Sequence, residues 1–548
     1  MKRSNFRPSF CAAVVVAVLV FACMTSGADS QDVHTRARIS HHTLPALQRS
    51  TLVGEASRRQ ELNLTVALKV ADRATLNQRI EQLHDPASPL YRQFLTPAQF
   101  ADEFGPSQGD YDNVVAFLGN SGLQVTATYP NRLLIDVQGS VAQVEEVFGV
   151  KINNYTKDNQ SFFANDRDPA LPLSIASVVE SIRGLENYLE LRTHTRVHSS
   201  QRNLFRAPSG YSPQQITNAY DFNSAYANGF TGRGQTVAIA TAYGFSGSDV
   251  SSFWSYYGIS APRYSTVAVG GITRYIDIET TLDLERAGAM ANGATFMVYE
   301  AATPRLSTFE SVYNKIVSDN KASVVSTSWG LCEQDMPDAF LTADSSIFAE
   351  AAAQGQTWFA ASGDDGSNDC GTSTLAADYP SSDPNVVAVG GTTLSLTQSG
   401  SVLSETAWTD SGGGLSIVFD QPLYQTGFGV LNAYSNGMRQ TADVAFNADP
   451  NTGYSVYFNR SWSQLGGTSF GAPQWAAIFA LVNQAHGGRV GAGGPSLYGL
   501  ANNSPAQLYP AFHDTSEGNN GYYPSVTFWD YPTGWGSPDV WNLMRDLQ

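Results

Sequence analysis

Histidine is nearly missing from the half of this chain that carries its densest motifs. Of the eight histidines, His34, His41, His42, His84, His194 and His198 precede residue 200, and only His486 and His513 follow it. His486 ends the apolar stretch that begins at Trp475, and His513 adjoins Asp514 in a loop, so neither has the setting of a catalytic imidazole. A Ser-His-Asp hydrolase is therefore not expected. Lysine is scarce too: beyond residue 206 only Lys315 and Lys321 occur, and that region holds 29 Asp+Glu against 11 Lys+Arg. Residues 1–206 are close to neutral. The acidic half excludes a nucleic-acid partner and limits positive self-repulsion in acid. Cysteine numbers four, and with Cys11 and Cys23 in the first 30 residues, Cys332 and Cys370 are too few for a zinc site. After those first residues no run of 18 apolar residues occurs, so no membrane span is expected.

What the chain does contain is Gly466-Gly467-Thr468-Ser469-Phe470-Gly471-Ala472-Pro473 followed by an apolar run from Trp475 to Val482. The glycines allow a tight turn and close substrate approach, and the run reads as a buried helix whose N-terminus favours developing negative charge. A serine that merely caps a core helix is the alternative. With no histidine to serve it, Ser469 needs a carboxylate base. Ile278-Glu279-Thr280-Thr281-Leu282-Asp283-Leu284-Glu285 offers Glu279 and Asp283 four apart, stacked on one helical face among small and apolar residues. A third acid stands in Ser362-Gly363-Asp364-Asp365-Gly366, a turn after the apolar strand Thr357-Trp358-Phe359-Ala360-Ala361, at the strand end where parallel sheets place their chemistry. Ser328-Trp329-Gly330, closing another apolar strand, fits the wall of a substrate cleft.

These segments together resemble the sedolisin family of serine-carboxyl peptidases, in the pattern of its kumamolisin-like precursors. The family's Gly-Thr-Ser-x-x-x-Pro, Glu-x-x-x-Asp and Ser-Gly-Asp signatures match in order, and Asp378-Tyr379-Pro380, Val389-Gly390-Gly391-Thr392, Gly412-Gly413-Gly414 and Asp443-Val444-Ala445 extend the likeness. The resemblance implies an α/β fold with a subtilisin-like, seven-stranded parallel sheet flanked by helices, preceded by a ferredoxin-like α+β prodomain. It implies Ser469 as nucleophile, Glu279 as general base, Asp283 as the carboxylate that orients it, and Asp364 as oxyanion-hole acid. Some relatives add a glutamate on the first core strand, but Val237-Ala238-Ile239-Ala240-Thr241-Ala242 has none, which leaves a relay of two acids. A carboxylate base titrates near pH 4, and Asp364 must stay protonated to donate to the oxyanion, so the expected enzyme acts in acid. An endopeptidase is expected; a tripeptidyl exopeptidase and a catalytically dead binding protein on the same fold are the alternatives.

The organisation follows the same pattern. Residues 1–30, with Lys2, Arg3 and Arg7 before an apolar run from Ala12 to Ala22, read as a secretory signal cut after Ala28, hence an exported product; Cys23 sits in a loose lipoprotein box. Residues 42–190 resemble the activation prodomain through Ser88-Pro89-Leu90-Tyr91-Arg92, Phe104-Gly105-Pro106, Asn131-Arg132 and Phe148-Gly149-Val150, and would act as inhibitor and folding aid. Residues 191–210 read as an exposed linker cut during maturation, with Arg202 and Arg206 in it, and 211–548 as the catalytic domain of a monomer acting on polypeptides. Cys332 and Cys370 can form one disulfide or remain thiols. The C-terminal Phe512-to-Gly521 segment resembles the family's Ca2+ loop, which implies Asp514 and Asp530 as carboxylate ligands with the backbone carbonyls of Thr515, Val526 and Phe528.

Overall fold

The computed structural model describes residues 35–197, 207–502 and 509–547. The signal segment 1–30, with Cys11 and Cys23, and the arginines Arg202 and Arg206 lie outside them.

The N-terminal unit is built on strand alternation. Leu62, Leu64 and Val66 of Glu61–Leu68 turn one face inward with Ile135, Val137 and Ile182. A four-stranded antiparallel sheet results, in the order Gln124–Thr128, Leu134–Ser140, Glu61–Leu68, Val179–Arg183. Helices Arg73–His84, Gln108–Asn120 and Val141–Phe148 accompany it. Each begins on a side chain that accepts from the first turn: the carboxylate of Asp72 takes the Thr75 N–H at 3.0 Å, and Ser107 and Ser140 do the same for their helices.

The second unit centres on an eight-stranded sheet in the order Arg263–Val269, Thr295–Ala301, Thr236–Ala242, Val324–Thr327, Thr357–Ala361, Val386–Leu396 and Val402–Ala407, with Val444–Asn447 also paired to Val386–Leu396. All pairings are parallel except that of Val402–Ala407. Seven parallel strands were expected; the eighth returns antiparallel because a turn, with Gly400 at φ +86° donating its N–H to the Thr397 carbonyl, folds the chain straight back. The parallel strands are apolar on both faces because both faces are covered. Along Thr236–Ala242, Val237 and Ile239 join one core with helices Ile278–Met290 and Gly471–His486, while Ala238, Ala240 and Ala242 join another with helices Leu306–Asp319 and Asp338–Ala353.

That second core also takes in Leu76, Leu83, Phe100 and Leu134 of the N-terminal unit, so the two units share buried apolar side chains. Polar contacts reinforce the junction. Arg183, fully buried, faces Glu310 at 3.2 Å and Asp344 at 3.1 Å. Asn131 Nδ2 donates to Asn314 at 2.6 Å and to Glu350 at 2.7 Å, and His84 Nε2 accepts the Ala492 N–H at 2.7 Å. Among the described residues no helix is long and apolar enough to cross a membrane.

Candidate active site

Gly467 stands at φ +113°, and a short 3-10 turn, Thr468–Phe470, carries Ser469 into the helix Gly471–His486. That helix is fixed by Trp475, Phe479 and Leu481, all fully buried, so the serine sits on a rigid support. The buried helix Ile278–Met290 starts on an Asp277 carboxylate that accepts the Glu279 N–H at 2.8 Å, and it presents Glu279 and Asp283 one turn apart, both without solvent exposure. Ser328 Oγ donates to Asp283 Oδ1 at 2.8 Å and also lies 3.2 Å from the Ser469 carbonyl. It therefore ties the acid helix to the serine turn. Glu279 Oε1 and Asp283 Oδ2 have no hydrogen-bond partner among the described residues.

Burial raises the Glu279 carboxyl well above the ordinary range and Asp283 adds to it, while Thr195 and the Ser469 hydroxyl pull it down. Burial likewise moves Asp283 up to about 8. The pair thus titrates above the pH 4 expected of a free carboxylate base, because two carboxyls stacked in an apolar interior cannot both ionise easily, and it carries at most one negative charge at neutral pH.

Asp364 follows the strand Thr357–Ala361 through Gly363 at φ +108°, a turn that Gly412 can pack against because it has no side chain. Its Oδ1 accepts from both the N–H and the hydroxyl of Thr468, each at 2.8 Å, and its Oδ2 has no hydrogen-bond partner among the described residues. Burial lifts its pKa to about 6 against the pull of His194, Thr468 and Arg196. Below that pH the buried acid is neutral, and its free oxygen can carry a proton to donate.

The linker departs from expectation. Its start is not an exposed loop but an extended strand through the cleft. Arg192 and Thr193 pair antiparallel with Gly330 and Trp329, and Arg196 and Val197 with Gly466 and Leu465. Between these rungs the His194 N–H donates to the Ser328 carbonyl at 3.3 Å, and the His194 carbonyl accepts the Ser469 N–H at 3.0 Å. A Cβ built on Gly467 would strike that carbonyl and lie 2.6 Å from Asp364 Oδ2, so glycine is needed for each to approach this point. Thr195 Oγ1 donates to Glu279 Oε2. Ser469 Oγ makes one long hydrogen bond, 3.5 Å, to the Ser328 carbonyl. The His194 imidazole faces Asp378, its Nε2 3.3 Å from Oδ1. Exposed edges of the cleft strands are free to pair with this segment, and that pairing is long-range; no local pattern in residues 191–197 marks it.

The other singled-out residues fall outside this cluster. Cys332 and Cys370 are joined as a disulfide with Cα atoms 5.1 Å apart. Thr241 bonds to Thr280 and accepts from the Trp329 indole at 3.0 Å, which fixes the cleft wall. In the C-terminal loop, Ser525 Oγ lies between Asp530 Oδ2, at 2.7 Å, and the Thr515 carbonyl, two acceptors sharing one hydroxyl proton. Asp514 Oδ2 accepts the Phe528 N–H at 2.8 Å, with Phe528 at φ +70°. Val526 donates its N–H to Asp530 at 2.9 Å. Burial raises Asp514 and moves Asp530 up to about 7. The meeting of Asp530 Oδ2 and the Thr515 carbonyl at one hydroxyl fits a hard cation at that point.

Residues 48–188 match the family model "Pro-kumamolisin, activation domain", and residues 265–500 match "Subtilase family". Sedolisin of Pseudomonas sp. (strain 101) is 32% identical over 519 residues, covering 88% of this chain and 86% of its own. Kumamolisin of Bacillus sp. (strain MN-32) is 32% identical, covering 89% and 92%. The solved structure of Pseudomonas sedolisin, a serine-carboxyl proteinase complexed with two molecules of pseudo-iodotyrostatin, aligns with TM-score 0.57 at 33% identity over 62% of this chain and 98% of that one.

Proposed function

The chain belongs to the sedolisin family of serine-carboxyl peptidases, and from that premise we propose that it is an exported, acid-acting endopeptidase that cuts its own linker. It is a serine-type peptidase made with an activation prodomain. The observation that carries the finer reading is the linker strand, with the His194 carbonyl on the Ser469 N–H and Thr195 against Glu279. The bond between His194 and Thr195 is then the one presented for cleavage.

Each residue has a task in that reading. Ser469 Oγ attacks the His194 carbonyl carbon while Glu279 accepts the serine proton. The carbonyl oxygen becomes an oxyanion that takes hydrogen bonds from the Ser469 N–H and from protonated Asp364, worth about 3 kcal/mol per such donor. Asp283, held by Ser328, keeps the second proton of the pair and fixes Glu279. Glu279 then returns its proton to the Thr195 nitrogen as the C–N bond breaks, leaving Ser469 Oγ acylated by the His194 carbonyl. Water, deprotonated by Glu279, releases the acid. Trp329 and Gly330 act as the strand against which any substrate aligns. Paired residues lie on both sides of the presented bond, Arg192 and Thr193 before it and Arg196 and Val197 after it, which supports internal cleavage over removal of tripeptides. Asp514, Asp530 and the carbonyls of Thr515, Val526 and Phe528 are proposed to hold Ca2+, which would tie the C-terminal loop. The segment 1–30 is proposed to export the chain.

The test is Ser469→Ala in the full-length precursor, incubated at acidic pH with a denatured protein. The account expects no self-processing and no fragments from the variant, and internal fragments from the parent. Release of tripeptides alone would sink the endopeptidase reading, and processing by the alanine variant would sink the nucleophile.

A further inference from the structure

Arg196, two residues beyond the presented bond, is gripped by acids. Its Nη2 donates to Asp365 Oδ1 at 2.5 Å and to the Asp364 carbonyl at 2.9 Å, and its Nε lies 3.7 Å from Asp364 Oδ2. Asp410 interacts with Arg196 and with Asp365, and its carbonyl takes the Gly366 N–H at 3.0 Å, which locks its loop to the Asp365 turn. Pairing of Arg196 with Gly466 sets the register, so the side chain that follows Thr195 in any bound strand must leave on the Asp365 side. The guanidinium is 43% exposed, so the contact is a rim interaction that selects between sequences more than it adds affinity.

We propose that Asp365, with Asp410 beside it, is a specificity-determining residue that favours substrates bearing arginine or lysine at the second position after the cleaved bond. The inference rests on the linker being bound as substrate. It goes further in naming a substrate class: polypeptides with a basic residue on the leaving-group side. Asp365 touches neither Ser469 nor the presented carbonyl. Its neighbour Asp364 faces the reaction through its side chain, while Asp365 faces the outgoing strand.

The experiment uses the mature enzyme and peptides copied from the linker, Leu-Arg-Thr-His-Thr-Arg-Val-His, with the second arginine kept or replaced by lysine, alanine or glutamate. The parent should cut all four between His and Thr, with kcat/KM for arginine about threefold to tenfold above alanine and higher still above glutamate, a ratio that shrinks as salt is raised. In Asp365→Asn the arginine-to-alanine ratio should fall toward one, and in Asp365→Lys glutamate should overtake arginine. Equal kcat/KM for all four peptides, or a ratio untouched by both substitutions, overturns the role of Asp365 while leaving the catalytic reading standing. Failure to cut any peptide at His-Thr by an enzyme that still digests denatured protein overturns both.

Discussion

Asp364 is the residue on which the proposed acid action most depends. Its pKa, raised to about 6 by burial, is held down in the precursor by His194 and Arg196, both of which belong to the linker. Removing the linker removes both neighbours, so the acid should stay protonated to higher pH in the mature enzyme. Activity should therefore fall as pH rises through this region, with the self-processing limb lying below that of the mature enzyme on uncharged peptides. Asp364→Asn supplies a permanent amide donor, so whatever activity it keeps should fall less between pH 5 and 7 than the parent's; an identical decline in kcat/KM would place the titrating group elsewhere. Ser469, Glu279, Asp283 and Asp364 were legible in the sequence because each sits in a short local motif. His194, Thr195 and Arg196 were not: they matter only because a strand distant in sequence pairs with them, and pairing of that kind leaves no periodicity. An upward shift within the Glu279–Asp283 pair follows from the spacing, which stacks two like charges on one face, but its larger cause, full burial of both acids, does not show in the spacing.

At the scale of elements, the apolar strands and the serine helix announced themselves, and the sheet they form is the expected parallel one. The antiparallel eighth strand escaped because its register depends on the turn at Gly400. The linker strand escaped because two-residue ladders on either side of His194 are too short to have a pattern. The C-terminal loop is held by Asp530, which accepts from Ser525, Val526 and Thr533, and by Asp514 on the Phe528 N–H. If Ca2+ binds these oxygens only in the folded chain, 100 Kd of free ion stabilises it by about 2.7 kcal/mol. Chelation should lower the Tm by several degrees and added calcium should restore it. A Tm indifferent to both would remove calcium from the account while leaving the catalytic residues untouched.

For the molecule as a whole, low pH acts in opposite directions on its parts. Burial raises Asp283 to about 8, Asp383 to about 6 and Asp364 to about 6. Acids whose folded pKa is raised contribute stability below their unfolded value and lose it as pH climbs through the folded one, so the catalytic unit gains from acid. Buried histidines of the N-terminal unit do the reverse. Burial lowers His42 and His84 to about 4, so the stability they contribute is present above about 6.5 and is lost as pH falls toward 4. His84 matters most, because its Nε2 must be unprotonated to accept the Ala492 N–H across the junction. His84→Gln can accept that N–H without titrating. In the Ser469→Ala background, this substitution should gain about 1 kcal/mol relative to its parent between pH 7 and pH 4. A difference independent of pH would take His84 out of the junction's acid response.

In the proposed function the precursor already holds its own cleavage site in the cleft. The most direct measurement is the N-terminus of the first large fragment when purified precursor is brought briefly to acidic pH and quenched. The account predicts Thr195 as that first residue, with the complementary fragment ending at His194 and neither formed by Ser469→Ala. A first fragment beginning elsewhere, with the His194–Thr195 bond still intact, would contradict it.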